Sequence, residues 1–378
     1  MKLGRRRQWT PAIAGLGLIL LAHTGHADDL GDCNGNDTQR IIDGCSAIID
    51  RRTESAASIA IAYNNRGNAY SDKGEIDWAI EDYDRAIALD PKYPLTYYNR
   101  GNAFSKRGDI DLAIKDYDRA IALDPKLAQS YYNRGTAFSK RGDTDRAIED
   151  YDRAIALDPK LTQGYNNRGY SYYLKREYDR AIDDYDRAIA LDPRFVQAYA
   201  NRGTAYGLQG DHGRAIEDFD RIIALNPEYS QAYYNRGYAY QSKGDTDKAI
   251  NDYGRAIALD PKQAKYLNAR CWVRAVAGTN LNLARADCDA ALALTNNEPN
   301  TLDSRGLVGI KQGLFDKAWA DYDTAHRAKP DNAGFLYGRG IAALRLGRTE
   351  EGKSDLVAAL MLDRKIAETY SGYGVPAP

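Results

Sequence analysis

A proline recurs every 34 residues along much of this chain and closes copies of nearly the same sequence. The copy over residues 97–126 reads YYNRGNAFSKRGDIDLAIKDYDRAIALDPK. The closing prolines are Pro91, Pro125, Pro159, Pro193, Pro227 and Pro261, and an Asn-Arg-Gly triplet recurs in phase with them at Gly67, Gly101, Gly135, Gly169, Gly203 and Gly237. A fixed period of this length indicates a solenoid built from one repeated supersecondary unit.

Each unit is predicted to be a pair of antiparallel helices. In the copy above, the first helix covers about residues 95–106 and ends near Gly108, because glycine suits the left-handed residue after a helix. Asp109 is a residue type that caps the start of the next helix. The second helix runs to about Leu123, and Pro125 ends it because proline lacks an N–H. Its apolar residues follow helical three-and-four spacing: Ala113, Ile114, Tyr117, Ala120 and Ile121.

These residues resemble the tetratricopeptide repeat (TPR), whose motif is a glycine in the first helix, alanines in the second and a closing proline at period 34. In this copy they are Gly101, Ala113, Ala120 and Pro125. Six close copies stand in register, so the resemblance covers most of the chain. It implies an all-α fold, namely a right-handed α-solenoid of about nine helix-turn-helix units with partial helical caps. Within the family, the chain resembles the bacterial exported type.

One consistent departure concerns the residue before the glycine, which is commonly leucine in that family. Here it is arginine in all six copies: Arg66, Arg100, Arg134, Arg168, Arg202 and Arg236. The second helix supplies a repeated acidic pair, such as Asp116 and Asp118. Because a guanidinium group can bond two acceptors, we expect a ladder of arginine–carboxylate contacts between repeats. Binding of an anion by the arginines is the alternative.

The chain is expected to have five segments. They are a signal peptide (1–27), an N-terminal loop and capping helix (28–56), six regular TPR units (57–262), three divergent units (263–363), and a C-terminal cap and tail (364–378). Residues 28–36 are polar and are predicted to be a loop, and residues 37–51 are predicted to be a second helix without a partner. In the seventh unit, Cys271 replaces the glycine and Cys288 replaces the core tyrosine.

The first segment has the order of a secretory signal peptide. Four basic residues precede an apolar run over residues 11–22, and small residues around Ala27 provide a cleavage site. The run has about a dozen residues, fewer than a membrane-spanning helix needs. An uncleaved membrane anchor is the alternative. Cleavage after Ala27 changes the formal net charge from −1 to −5, because this segment holds no acid. A periplasmic or secreted protein, without stable membrane insertion, is therefore expected.

All four cysteines lie beyond Ala27 in a chain predicted to enter an oxidising compartment, so disulfides are the first interpretation. Cys33 and Cys45 are close in sequence, and Cys271 and Cys288 lie on the two helices of one unit. We expect these two pairs to be bonded, with buried free thiols as the alternative. No metal site is expected, because no histidine accompanies the cysteines at ligand spacing.

No catalytic constellation is recognisable. After Ala27 the chain contains two histidines, His212 and His326, and none of the CxxC, HExxH, GxSxG or phosphate-loop patterns. The acidic residues recur identically from repeat to repeat, whereas a catalytic pair would interrupt the repetition. An enzyme and a cofactor are therefore not expected. The near-balanced charge and the absence of a basic stripe argue against nucleic acid as a partner.

The resemblance implies that protein segments bind in a concave groove lined by the first helices. That helix face carries Tyr98, Asn102, Tyr132, Thr136, Asn166, Tyr170, Tyr173, Tyr234, Tyr238, Asn268 and Trp272. Core positions stay nearly constant between copies, but one groove position holds, in successive units, Tyr98, Tyr132, Asn166, Ala200 and Tyr234. Such variation on one face suggests adaptation to a ligand, and drift without a ligand is the alternative.

The expected function is a non-catalytic protein–protein interaction scaffold of the bacterial cell envelope that binds a protein or peptide segment in the groove. The alternative is a module that binds glycan or another envelope polymer with the same aromatic groove, because tyrosine and tryptophan faces also stack on sugars. An accessory enzyme is a third hypothesis.

Overall fold

The computed structural model of the chain describes residues 26–51 and 53–376. The predicted signal peptide lies outside the described residues, except that His26 and Ala27 begin the first helix. Within the described part, the regular structure is entirely α-helical and successive helices pack in pairs. The predicted all-α solenoid is therefore confirmed.

Contacts between residues divide the chain into two units, one ending at Pro159 and the other beginning at Lys160. In the first unit the helices are α1 (His26–Cys33), α2 (Thr38–Arg51), α3 (Ala56–Lys73), α4 (Ile76–Leu89), α5 (Pro94–Arg107), α6 (Ile110–Leu123), α7 (Ala128–Arg141) and α8 (Thr144–Leu157). Helices α3 and α4 form repeat 1, and the two following pairs form repeats 2 and 3.

The second unit continues the same pairing. Its helices are α9 (Thr162–Leu174), α10 (Tyr178–Leu191), α11 (Val196–Leu208), α12 (His212–Leu225), α13 (Ser230–Ser242), α14 (Thr246–Leu259), α15 (Ala264–Ala277), α16 (Leu281–Leu294), α17 (Pro299–Lys311), α18 (Phe315–Ala328), α19 (Ala333–Arg345), α20 (Thr349–Leu362) and α21 (Ile366–Gly372). The pairs from α9 to α20 form repeats 4 to 9, so the described residues contain nine repeats.

The turn inside repeat 2 shows how the sequence sets the helix ends. Gly108 has φ 97°, the left-handed conformation that glycine adopts at little cost, and its N–H donates to the carbonyl of Phe104. The capping prediction for Asp109 is wrong, because its side chain makes no capping hydrogen bond to α6. Instead its carboxylate accepts from Nε of Arg107 at 2.5 Å.

The two helices of a repeat approach each other most closely where a glycine faces an aromatic ring. Tyr117 is only 2% exposed, and a Cβ atom added to Gly101 would lie 2.7 Å from Cε1 of that ring. Any larger residue at Gly101 would therefore push the helices apart. Ala113 and Ala120 are also completely buried on the second helix. These small residues allow the two helices to pack closely.

In repeat 7 a disulfide takes the place of this glycine–tyrosine contact. Cys271 on α15 is bonded to Cys288 on α16, and both residues are fully buried. A second disulfide joins Cys33 of α1 to Cys45 of α2. Both predicted pairings are confirmed. In repeat 7 a covalent bond therefore supplies the helix–helix connection that packing supplies in its neighbours.

The N-terminal segment differs from the prediction of a loop over residues 28–36, because α1 occupies most of it. Helix α1 packs against α2, and Gly44 allows the close approach, since a Cβ there would lie 2.7 Å from the carbonyl oxygen of Asp29. Together with the disulfide, this contact explains how a short polar segment stays helical. The capping element is therefore a helix pair, and not a lone second helix.

The predicted arginine–carboxylate ladder is confirmed within each unit. Arg134 donates from Nε and Nη2 to the two oxygens of Asp150 in its own repeat, at 2.8 and 2.7 Å, and from Nη1 to Asp118 of the preceding repeat at 2.5 Å. In the second unit Arg236 bonds Asp252 and Asp220 in the same way. Hydrogen bonding to Asp252 is the main cause that raises the pKa of Arg236, so this arginine stays charged.

The C-terminal segment lies on the first-helix side of repeats 7 to 9. The hydroxyl of Tyr370 in α21 donates to the carbonyl of Gly334 at 2.8 Å. Tyr373 meets Trp272 of α15 edge to face, with ring centroids 5.1 Å apart, and Val375 is buried. The end of the chain therefore covers the groove side of the last three repeats with its own residues.

A substitution can test whether the Cys271–Cys288 bond replaces the packing of the other repeats. We expect Cys271→Gly combined with Cys288→Tyr to rebuild the glycine–tyrosine contact and, without reductant, to unfold at about the urea concentration of the parent, since both proteins keep the Cys33–Cys45 bond. Cys271→Ser alone should lower the free energy of unfolding by about 2–4 kcal/mol, as is typical of a lost disulfide. Urea denaturation followed by circular dichroism measures both effects.

The matched control is the parent protein under reducing conditions, in which both disulfides are opened. If the double variant unfolds as easily as Cys271→Ser, the disulfide does more than replace the packing of a glycine and a tyrosine.

Candidate functional site

The first helices form the inner side of each unit. Within both units, first helices of successive repeats lie closer to each other than successive second helices do. A stack that is narrower on one side curves toward that side, so the first helices line its concave face. All eleven residues predicted for the groove lie on first helices, namely α5, α7, α9, α13 and α15.

In the first unit, the predicted groove residues mostly bond within the protein. The carboxamide oxygen of Asn102 accepts from the hydroxyl of Tyr117 at 2.8 Å. Thr136 accepts from Tyr151 at 3.3 Å in repeat 3. The rings of Tyr98 and Tyr132 lie over the two core tyrosines, with centroids 6.3 and 5.9 Å away. These four residues therefore cover the core and are only partly exposed.

The sequence analysis overlooked the asparagine of the Asn-Arg-Gly triplet. Asn99 donates from Nδ2 to Oδ1 of Asn64 at 3.0 Å, and Asn133 donates in the same way to Asn102 at 2.7 Å. In the second unit Asn201 donates to Asn166 at 3.0 Å. Each asparagine thus ties its first helix to that of the preceding repeat, on the groove side. The constancy of this asparagine across six copies was the signal for this role.

Repeat 4 presents a pair of tyrosines to solvent. Tyr170 is 44% exposed and stacks on Tyr173, with centroids 5.9 Å apart and planes 13° apart. Tyr173 also contacts Tyr178 at 5.8 Å, and its partial burial raises the pKa of its hydroxyl. Asn166, by contrast, is buried and serves as the acceptor for Asn201. The open surface of repeat 4 is therefore aromatic and uncharged.

Repeats 5 and 6 enclose a pocket of about 300 Å³. Tyr238 stands at the pocket with 57% of its surface exposed. Tyr234 is more enclosed, because its ring packs on Tyr253 at 5.7 Å and on Tyr266 at 5.1 Å, and burial raises the pKa of its hydroxyl. The lining residues are Gly203, Thr204, Gly207, Leu208, His212, Ala215, Phe219, Tyr234, Asn235, Tyr238 and Ala239. The pocket is thus mainly apolar, with a few polar groups.

The groove side of repeats 7 to 9 is occupied by the chain itself. Trp272 is covered by Tyr373, and Asn268 is partly buried. Asp303 holds the position that tyrosine holds in repeats 2, 3 and 6, and burial, with a smaller effect of the Glu298 charge, raises its pKa to about 7. Of the predicted groove residues in the second unit, Tyr170 and Tyr238 are therefore the most exposed.

Over residues 26–51 and 53–376, no group of three or more histidine, cysteine or acidic side chains is arranged to hold a metal ion. Nor do these residues include a helix with the length and apolar character needed to cross a bilayer. Most of the buried carboxylates are paired with arginines of the ladder.

Family models match this chain at the positions of the helix pairs. A model described as TPR repeat matches residues 67–108 and 101–142. A model described as tetratricopeptide repeat matches residues 128–161, 162–195, 196–229 and 230–263, and a further tetratricopeptide repeat model matches residues 305–353. No curated protein sequence matches the chain.

Solved structures are similar over about half of the chain or more. MamA is 30% identical over 47% of this chain and 96% of its own, with a TM-score of 0.43. YrrB, described as a TPR protein with an unusual peptide-binding site, is 24% identical over 50% and 95%, with a TM-score of 0.43. The C-terminal part of a TPR protein from Cytophaga hutchinsonii is 20% identical over 63% and 97%, with a TM-score of 0.55, and shows the fold alone.

The segments matched by the family models together cover more than half of the 378 residues. They share the 34-residue register of the helix pairs, their turns and their glycine–aromatic contacts. This chain belongs to the tetratricopeptide repeat family.

Proposed function

We propose that this protein is a non-catalytic interaction scaffold that binds a protein or peptide segment along the first helices of repeats 4 to 6. The observation that carries the proposal is the open aromatic surface there, formed by Tyr170, Tyr173 and Tyr238 beside an apolar pocket. Exposed aromatic side chains with polar tips are enriched among binding hot spots. TPR proteins bind protein and peptide partners, which agrees with this proposal.

The chemistry of the pocket favours a peptide over a sugar. A glycan presents many hydroxyl groups, and its binding requires a matching set of polar side chains. The polar side chains in the lining are mainly Thr204, His212 and Asn235, and the rest is glycine, alanine, leucine and aromatic rings. Binding of glycan or envelope polymer is the second candidate, because the stacked pair of Tyr170 and Tyr173 offers a flat face suited to a sugar ring.

We further propose that the scaffold works in the cell envelope, as a periplasmic or secreted protein. The basic, apolar and small-residue order of residues 1–27 supports export, and the two disulfides suit an oxidising compartment. We expect protein purified from the periplasm to have the intact mass of a chain that begins at Asp28. Recovery of a chain that still begins with Met1, in the membrane fraction, would contradict this localisation.

Two exposed tyrosines provide the direct test of the binding face. Tyr170→Ala combined with Tyr238→Ala should weaken partner capture by about 30-fold or more, since the loss of a hot-spot aromatic costs about 2 kcal/mol. Both side chains are largely solvent-exposed, so the melting temperature should stay close to that of the parent. Capture of envelope proteins by the immobilised chain, with the same proteins then titrated individually, measures the effect.

Trp78→Ala is the matched control, because Trp78 is 61% exposed but lies on second helix α4 of the first unit. If Trp78→Ala weakens capture and the tyrosine double variant does not, the partner binds the second-helix face. If the parent binds a glycan array and the double variant does not, the glycan alternative replaces the peptide proposal.

A further inference from the structure

Repeat 5 departs from its neighbours at three positions, two of which line one pocket. Ala200 stands where repeats 2, 3 and 6 have Tyr98, Tyr132 and Tyr234. Gly207 occupies the site of Tyr173 in repeat 4, and the core aromatic residue is Phe219, without the hydroxyl of its counterparts. Gly207 and Phe219 both line the pocket of repeats 5 and 6, next to Gly203 and Thr204. The pocket therefore results from changes in this repeat.

The neighbouring repeats show what is missing. In repeats 2, 3 and 6 the groove tyrosine lies on the core tyrosine of its own repeat, with centroids 6.3, 5.9 and 5.7 Å apart. Ala200 has no ring to place over Phe219, so Phe219 forms part of the pocket wall. The empty volume thus corresponds to the tyrosine side chain that the other repeats provide for themselves.

The same replacement leaves a hydrogen-bond donor without its usual partner. Asn201 donates from Nδ2 to Asn166 of the preceding repeat, but the residue that corresponds to Asn166 for Asn235 is Ala200, whose side chain has no acceptor. The Oδ1 atom of Asn235 accepts from Gln231 at 2.7 Å, and Thr204 directs its hydroxyl to the carbonyl of Ala200 at 2.8 Å. Within the described residues, Nδ2 of Asn235 therefore has no acceptor, and this residue lines the pocket.

The size and charge of the pocket limit what it can bind. Its volume of about 300 Å³ is at the lower end of the range of about 300–1,000 Å³ for pockets that hold whole small molecules. The lining includes no lysine, arginine, aspartate or glutamate. A single uncharged side chain fits these properties, and the rings of Phe219, Tyr234 and Tyr238 favour an aromatic one, because aromatic pairs gain energy beyond their buried area.

We propose that this pocket binds one aromatic side chain of an extended peptide segment from the partner protein. The ring takes the place that a tyrosine of the chain fills in repeats 2, 3 and 6, and Nδ2 of Asn235 donates to a backbone carbonyl of the segment. This inference rests on the proposed function, which it narrows to a specific residue type in the ligand.

Small probes test the pocket without a known partner. We expect N-acetyl-L-phenylalanine methylamide to bind the mature protein in ligand-observed NMR, and N-acetyl-L-alanine methylamide to bind at least tenfold more weakly. Ala200→Tyr supplies the missing ring from within and should weaken binding of the phenylalanine probe by tenfold or more. Because three repeats already hold tyrosine at this site, the variant should melt at or above the temperature of the parent.

The matched control is Ser139→Tyr, which adds a tyrosine to repeat 3 at the site that Gly207 holds in repeat 5, outside the pocket lining, and should leave probe binding unchanged. Gly207→Tyr is a second pocket-filling variant, since a Cβ there would meet nothing within 4 Å and repeat 4 already has Tyr173 at this site. It gives an independent result if Ala200→Tyr folds poorly.

Ala200→Asn restores an acceptor for Asn235, and it should weaken binding of the amide probe more than binding of p-cresol.

Two results would overturn the inference: no binding of the phenylalanine probe to the parent, or unchanged binding to both pocket-filling variants. Equal binding of N-acetyl-L-leucine methylamide would overturn the assignment of an aromatic side chain. The proposed function is tested separately by partner capture with the Tyr170 and Tyr238 variants. If the protein captures its partner but does not bind the probes, the proposed function stands and this inference is wrong.

Discussion

In repeats 2, 3, 5, 6, 8 and 9 the arginine before the repeat glycine holds two carboxylates, one in its own repeat and one in the preceding repeat. Arg134, for example, bonds Asp150 with two nitrogens and Asp118 with the third. Buried ion pairs are costly to form unless their hydrogen-bonding groups are satisfied, and removal of one partner strands the other charge at a cost of about 3–5 kcal/mol. The planar guanidinium group satisfies both acids at once. The position of each second helix relative to its neighbour therefore depends on this contact.

Because the ladder and the glycine–aromatic contacts determine how the helices pack, the groove residues are free to differ. Tyr98 and Tyr132 cover the core of their repeats, while Asn166 accepts a bond from the next repeat. In repeat 5 the groove residue is Ala200, whose side chain neither covers the core nor accepts a hydrogen bond from the next repeat. The pocket of repeats 5 and 6 lies beside this repeat, whose helices α11 and α12 keep the pairing of the other repeats.

The features that the repeat period determines could be predicted from the sequence, and those that depend on individual side-chain partners could not. Helix pairing, the Arg–Asp contacts and the Cys271–Cys288 bond depend on residues within one repeat or its neighbour, and the 34-residue period places them. The Cys33–Cys45 bond could be predicted because the two residues are close in sequence. Helix α1 escaped prediction because it is short and polar and depends on Cys45 and Gly44 of α2. Capping by Asp109 failed because Arg107 takes the carboxylate.

The groove was the least predictable part for the same reason. Trp272 occupies a groove position in the repeat pattern, and the sequence alone predicts that it is open. Tyr373, which covers it, is about a hundred residues away in the chain. The unpaired Nδ2 donor of Asn235 also cannot be recognised from repeat 6 alone, because the sequence of this repeat resembles that of the others. It results from Ala200 in the repeat before. The sequence thus indicated the proposed binding face, and the packing of neighbouring repeats determines which part of that face is open.

The central claim is that the first helices of repeats 4 to 6 hold a segment of a partner protein. Site-specific photo-crosslinking in intact cells tests it most directly, with a photoreactive phenylalanine placed at Tyr238 in one strain and at Trp78 in another. We expect the position of Tyr238 to crosslink to one partner segment that contains an aromatic residue, and the position of Trp78 to give no such crosslink. Crosslinks to the partner from Trp78 with none from Tyr238 would contradict it.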